Sequence, residues 1–335
     1  MSKSRLPSGP VSLANLAPAL LAVILGLFGC SKPPARPAAG PSRAGAAAPC
    51  EVYAGIPPIA DFVERVGGRF VRVHTLIPPG QEPHSFEPTP QQMAKLGRAR
   101  LYFAIGFPFE RRLVGKIQST YKGLEVVDIS RGIPRRTLAA EPGDARETET
   151  GAKAARHTDP HVWLSPRNAM RMAARIRDAL AAADPAHAAA FRKNCNTFQH
   201  ELAQLDAEIA KALAPIKGRE IFVFHPAFGY FTDAYGLKQR AVEVGGKAPT
   251  ARRLARLIDD ARRHGVRVIF VQPQFSTRTA KVIAAAIHGA VVPMDPLAHD
   301  YVKNLRRMAA AIRDALKNEE PLSKPGSRPR LRSSQ

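Results

Sequence analysis

Two runs of short apolar segments alternating with helical ones, one on each side of a long amphipathic stretch, restrict this chain to a narrow set of folds. In the first half, which opens at Glu51 with EVYAGI, strand-like segments at 70–77, 101–105 and 124–129 alternate with helical ones at 59–66, 91–99 and 109–117. In the second half, strand-like segments at 220–224, 239–244, 266–271 and 290–294 alternate with helical ones at 228–235, 250–264, 276–287 and 299–316. Strictly alternating strands and helices favour a parallel sheet covered by helices on both faces. Between the halves, residues 166–183 and 185–214 read as helices, the second with Phe191, Phe198, Leu202, Leu205, Ile209 and Leu213 near helical spacing. The expected fold class is therefore α/β, with two open parallel-sheet lobes joined by one long helix.

The ends of the chain differ from this pattern. Lys3 and Arg5 precede an apolar run, LAPALLAVILGLF, that ends at Gly29-Cys30. A basic start, a short apolar centre and a small residue before a cut site form the layout of a secretory signal. The run falls short of the ~20 apolar residues that span a bilayer comfortably. Leu27-Phe28-Gly29-Cys30 resembles a bacterial lipoprotein box, which makes Cys30 the expected lipidated N-terminus of the mature chain. The expected division is a signal peptide at 1–29, a lipidated start and spacer at 30–49, an N-terminal α/β lobe at 50–184, and an interdomain helix at 185–214. A C-terminal α/β lobe at 215–317 and a basic tail at 318–335 complete it, and the polar stretch 134–158 reads as a surface loop. The protein is thus expected outside the cytoplasm, anchored to a membrane by lipid.

A net charge of +22 would fit a polyanion partner, but the basic residues are spread along the chain and only 7% of residues are aromatic. No arginine-aromatic cluster of the kind that stacks bases is present, so no nucleic-acid partner is expected, and a basic surface facing anionic lipid fits the N-terminus better. Beyond Cys30, Cys50 and Cys195 stand too far apart for a CxxC metal motif, leaving a disulfide or two free thiols open.

Four residues stand out as candidate metal ligands. His84 lies in PPGQEPHSFEPTP, where five prolines bar both helix and central strand and hold the histidine in a stiff loop. His161 follows the polar stretch within DPHVWLSP. His225 and Asp295 each directly follow an expected strand, at 220–224 and 290–294, and ligands in open α/β sheets bind beyond the carboxyl ends of strands. The four are far apart in sequence, so a shared site requires tertiary folding rather than a local HExxH-type motif. Among the other histidines, His74, His187, His200, His264, His288 and His299 read as structural or solvated, and Trp163 as core packing beside His161.

The segments PPGQEPHSFEPTP, DPHVWLSP, FHPAFGYF with the following YGL, and IFVQPQFS through MDPLAHDY resemble, in order, the signature segments of zinc and manganese ABC-importer solute-binding proteins. They are most similar to the high-affinity zinc-uptake group, over about residues 51–316. The resemblance implies two α/β lobes joined by one long rigid helix, with the metal held in the cleft between them by His84, His161, His225 and Asp295. It also implies a protein without catalytic activity, whose partners are a membrane permease and its cytoplasmic ATPase. Three imidazoles and a carboxylate suit tetrahedral Zn²⁺, whereas Mn²⁺ prefers more oxygen ligands and typically meets a glutamate at the position of His225 in the manganese branch. Zinc is the expected ligand and manganese the alternative. Competing protons should weaken binding below about pH 6.5.

Three points stay open at this level. Glu82 is a second candidate for the fourth ligand, because some relatives place a glutamate immediately before the first histidine; here Pro83 intervenes and Asp295 is preferred. The loop before His161 carries only His157, where many zinc members are rich in histidine and acids. The competing readings are an adhesin-like or manganese-binding member of the same family, and a zinc hydrolase with three histidines and a metal-bound water.

Overall fold

The protein is described here by a computed structural model covering residues 48–138, 158–243 and 250–317. The signal segment, Cys30, His157 and the 318–335 tail lie outside the described residues. In the first lobe, β1 (Cys50–Ala54), α1 (Pro57–Gly67), β2 (Val71–Thr75), α2 (Pro90–Leu96), β3 (Leu101–Ala104), α3 (Pro108–Thr120) and β4 (Glu125–Asp128) alternate as expected. The four strands pair entirely in parallel in the order β2-β1-β3-β4. The expected face of α1, Ile59, Phe62, Val63 and Val66, is buried. At the start of α2 the Thr89 side chain accepts from Gln92 N, and the Gln92 side chain accepts from Thr89 N, a reciprocal cap that ends the proline-rich loop.

Two helices, α4 (Pro166–Ala183) and α5 (Ala188–Leu213), lead to the second lobe. There, β5 (Glu220–Val223), α6 (Gly229–Tyr235), β6 (Lys238–Ala241), α7 (Ala251–Arg263), β7 (Val268–Val271), α8 (Thr277–Ala286) and β8 (Ala290–Pro293) form a second parallel sheet in the order β6-β5-β7-β8. The chain closes with α9 (Tyr301–Lys317).

The stretch expected as one helix at 185–214 begins with a 3₁₀ turn, Pro185–His187, and ends in another, Ala214–Ile216. Pro215 supplies no N–H for an i−4 carbonyl, so the last turn tightens to i−3 bonding. The helix is also not a bare spacer. Its stripe of Phe191, Cys195, Phe198, Leu202, Leu205, Ile209 and Leu213 is buried, and it packs on α4, α1 and α9. Both Cys50 and Cys195 are free thiols.

One apolar core runs from the first sheet through these helices to one side of the second sheet, taking in Val223, Phe228 and Phe231. A smaller core on the other side joins Phe222 and Ile269 to Leu257 of α7 and Ile283 of α8. The chain also returns from the second lobe to the first. The Tyr301 ring stands edge-on to Phe62 at 4.8 Å, and its hydroxyl donates to the Trp163 carbonyl at 2.6 Å. Trp163 Nε1 in turn donates to the Pro296 carbonyl at 2.9 Å.

A buried acid fixes one wall of the cleft. Glu110, 1% exposed, accepts through Oε2 from the backbone N–H groups of Ile105, Gly106 and Phe107 at 3.1, 2.7 and 2.8 Å, while the Tyr102 hydroxyl donates to Oε1 at 2.7 Å. These amides sit at the N-terminal end of α3, where a carboxylate also meets the positive end of the helix dipole. Glu110→Ala would leave buried donors unmatched and is expected to cost about 3 kcal/mol or more, read as a lower urea midpoint.

Candidate metal centre

Stiff local chemistry places His84. Glu82 Oε1 accepts from His84 N at 2.7 Å, and Oε2 accepts from both the backbone N and the hydroxyl of Ser85 at 2.7 Å. Phe86, buried, anchors the far side of the loop against Phe109. The prolines restrict the loop and the Glu82 carboxylate ties its turn together. Glu82 is thereby engaged through both oxygens in loop structure.

His161 lies at the start of a 3₁₀ turn, Val162–Leu164. Asp159, fully buried, takes both its backbone N–H (2.9 Å) and its Nδ1 (2.8 Å) on Oδ1. The ring rests 5.3 Å from Trp163 and 6.1 Å from Phe107, the residue that the Glu110 cap holds in place.

His225 follows the end of β5, where the strand order reverses between β6 and β7. Continuing the parallel register past Val223 places it between Glu243, beyond β6, and Gln272, beyond β7. The Gln272 amide clamps its backbone, with Oε1 accepting from His225 N at 3.2 Å and Nε2 donating to His225 O at 2.8 Å. Its Nδ1 meets buried Glu243 Oε2 at 2.5 Å, and its ring stacks on Phe275.

The three rings meet across the cleft. His84 Nε2 lies 3.3 Å from His161 Nε2 and 3.1 Å from His225 Nε2. With Nδ1 of His161 and of His225 set against carboxylates, the Nδ1–H tautomer of each ring would present Nε2 as a lone pair, and His84 Nε2 can donate to only one of them. The trio therefore cannot satisfy itself by hydrogen bonding; a cation at its centre would satisfy all three. Burial, together with the neighbouring imidazoles, holds the His84 pKa well below its ordinary value. Burial also lowers that of His161, against the raising effect of the Asp159 bond. Both rings thus favour the neutral form that a metal needs.

A family model described as zinc-uptake complex component A, periplasmic, matches residues 52–315. The chain belongs to this zinc-uptake family. A crystal structure of ZnuA superposes with a TM-score of 0.73 at 35% identity, covering 80% of this chain and 99% of that one. A zinc-bound ZnuA lacking residues 138–173 of its own numbering gives 0.72 at 36% identity, covering 80% and 98%. The zinc-binding protein AdcA of Streptococcus pyogenes is 29% identical over 262 residues, covering 73% of this chain and 50% of that protein, so the chain spans about half of that relative's length.

Within this zinc-uptake fold, the histidines expected at 84, 161 and 225 come together as one group, and Asp295 does not join it. Asp295 follows β8 as expected, but its Oδ1 accepts from Gln274 Nε2 and Leu297 N, both at 2.9 Å. A second group, Asp61, Glu64 and His299, also meets spacing suited to a cation. Its one buried member is already engaged: Asp61 Oδ1 accepts from Arg65 Nε at 2.9 Å, and Oδ2 from Tyr301 N at 3.3 Å, beginning α9. His74 pairs with Glu51, His187 with Asp184 and His264 with Asp260, in keeping with structural roles.

Sequence reasoning passed over the residues that aim the imidazoles. Asp159 was visible as the acid two places before His161, whereas Glu243 and Gln272 become neighbours of His225 only through strand pairing. Orienting partners of this kind are typically worth about 10- to 100-fold in metal affinity. Asp159→Ala and Glu243→Ala should each weaken zinc binding by about that factor, measured by competition with a chromophoric chelator, with retention of the far-UV circular dichroism.

Proposed function

We propose that the protein is the extracytoplasmic zinc-capturing component of an ABC importer, holding Zn²⁺ through His84, His161 and His225 and passing it to a membrane permease driven by a cytoplasmic ATPase. The observation that carries the reading is the convergence of three Nε2 atoms contributed by both lobes. Nitrogens about 2.0–2.1 Å from a tetrahedral zinc ion lie about 3.3 Å apart, against 3.1 and 3.3 Å here. Asp295 is the proposed fourth ligand, approaching through Oδ2 while Oδ1 keeps its bonds to Gln274 and Leu297. An all-nitrogen trio with one carboxylate favours zinc over manganese, which prefers oxygen-rich sites of higher coordination number.

The reading is one of binding and release, not catalysis. A hydrolase of this metal type needs an open coordination position and a base beside the bound water. Here the acids nearest the trio have other duties: Asp159 and Glu243 orient imidazoles, and Glu82 holds the His84 turn. Release then depends on parting the lobes proposed at 50–184 and 215–317 about the 185–214 helix. Lipidation at Cys30 would keep the protein beside its permease. The laminin-binding relatives of known structure are only 23% identical, a likeness that extends to the fold alone.

Calorimetric titration of the mature protein is expected to give one Zn²⁺ per chain. His225→Ala should weaken it by more than about 100-fold, beyond the effect of losing an orienting partner. Asp295→Ala should weaken it less, with the three imidazoles still in place. Stoichiometric, tight binding that survives replacement of two of the three histidines would overturn the assignment, and zinc-dependent ester hydrolysis at enzyme-like rates would replace it with the hydrolase.

A further inference from the structure

The carboxylate that orients His161 is itself held by a first-lobe residue that the metal-binding reading does not use and that also reaches across to the second lobe. Arg136 sits in the first-lobe chain after β4, next to the Thr137–Thr158 bridge. Its Nη1 donates to Asp159 Oδ2 at 3.0 Å, opposite the Oδ1 that takes His161 Nδ1. Its Nε donates to Asp233 Oδ2 at 3.0 Å, and its backbone N–H donates to the Tyr230 hydroxyl at 3.1 Å. Asp233 and Tyr230 both belong to α6, the helix that begins four residues after His225. One guanidinium therefore touches the acid behind one histidine and the helix following another.

The surroundings are shaped for this contact. A Cβ placed on Gly229 would lie 1.5 Å from Arg136 Nη1 and 2.8 Å from Asp159 Oδ2, so only glycine at the first position of α6 lets the guanidinium reach the buried acid. Asp159 is fully buried, whereas the Asp233 side chain is 58% exposed. The two arms thus differ in kind. The inner arm fixes a carboxylate that has no access to solvent, and the outer arm is a surface ion pair that parting of the lobes can break.

We propose that Arg136 is a positioning residue and lobe latch: it holds Asp159 against His161 and, through Asp233, ties that assembly to α6, so that it sets how long a captured metal ion stays. The inference rests on the zinc-capture reading. It assigns Arg136 no contact with the metal. Opening the cleft breaks the outer arm first, because an exposed pair is screened and weak, and leaves the inner arm to keep His161 aimed for the next ion.

The test is stopped-flow release of Zn²⁺ from the mature protein into excess chelator, on wild type and four variants, with urea midpoints taken in the apo and zinc-bound forms. Asp233→Asn removes only the exposed arm and is expected to speed release about 3-fold, with association unchanged. Arg136→Met removes both arms and should speed release by about 10-fold or more. Gly229→Ala, which displaces the guanidinium without deleting its charge, should behave like Arg136→Met. In the double variant Arg136→Met/Asp233→Asn, release should match Arg136→Met alone, since the second change has nothing left to remove. The zinc-bound form should lose more stability than the apo form.

Release rates within 1.5-fold of wild type for both Asp233→Asn and Arg136→Met would overturn the latch. Equal loss of stability in apo and zinc-bound forms without faster release would do the same, leaving Arg136 a purely structural residue. Failure of the wild-type protein to bind zinc would instead remove the capture reading on which the latch depends. If Arg136→Met does not fold, Asp233→Asn still decides, because its side chain is exposed and its loss leaves the buried acid paired.

Discussion

A neutral imidazole offers one lone pair, and the nitrogen that carries it is decided by what the other nitrogen touches. The whole cleft depends on that constraint. Asp159 and Glu243, both buried, take Nδ1 of His161 and His225 and leave Nε2 of each ring facing His84. Carboxylates in that position also raise the basicity of the nitrogen opposite, which favours the ligand role. Each acid must itself be satisfied without solvent, and Arg136 does this for Asp159.

The surrounding fold supplies these contacts at modest local cost. His225 stands at the reversal of strand order in the second sheet, the position at which open α/β sheets bind their ligands. His84 needs no such position, because prolines and the Glu82 turn hold its loop beside β2. Phe107, fixed by the Glu110 cap at the start of α3, supplies an apolar wall to both first-lobe histidines. The long helix α5 and the returning α9 join the lobes in one continuous core, so the two lobes share a packed back.

Much of this was legible in the sequence. The helix at 166–183 has the same bounds in the structure, and each expected strand is present within a few residues of its predicted ends. Boundaries moved by a few residues: Pro215 ended α5 in a 3₁₀ turn, and the segment expected as a strand from 239 begins at Lys238, with the ladder to β5 carried on by the Val242 and Glu243 amides. His84 could be singled out by its stiff loop and His225 by its place after a strand, while the resemblance to the zinc-uptake group carried His161 into the same set. Asp295 was singled out by the same strand-end rule as His225, and it stands in place after β8 with one oxygen committed to Gln274 and Leu297.

What the sequence by itself determined is local: the alternation of strands and helices, the stiffness of the His84 loop, and the residue types able to hold a divalent cation. Tertiary structure alone decided which acids stand behind those histidines. Glu243 and Gln272 meet His225 because β5 lies between β6 and β7 in parallel register, and Arg136 reaches Asp159 only over a glycine at the start of a helix in the other lobe. Period and propensity act over a few residues and describe one segment at a time. Register and lobe contact join segments distant in the chain, and no local pattern encodes which of them will be neighbours.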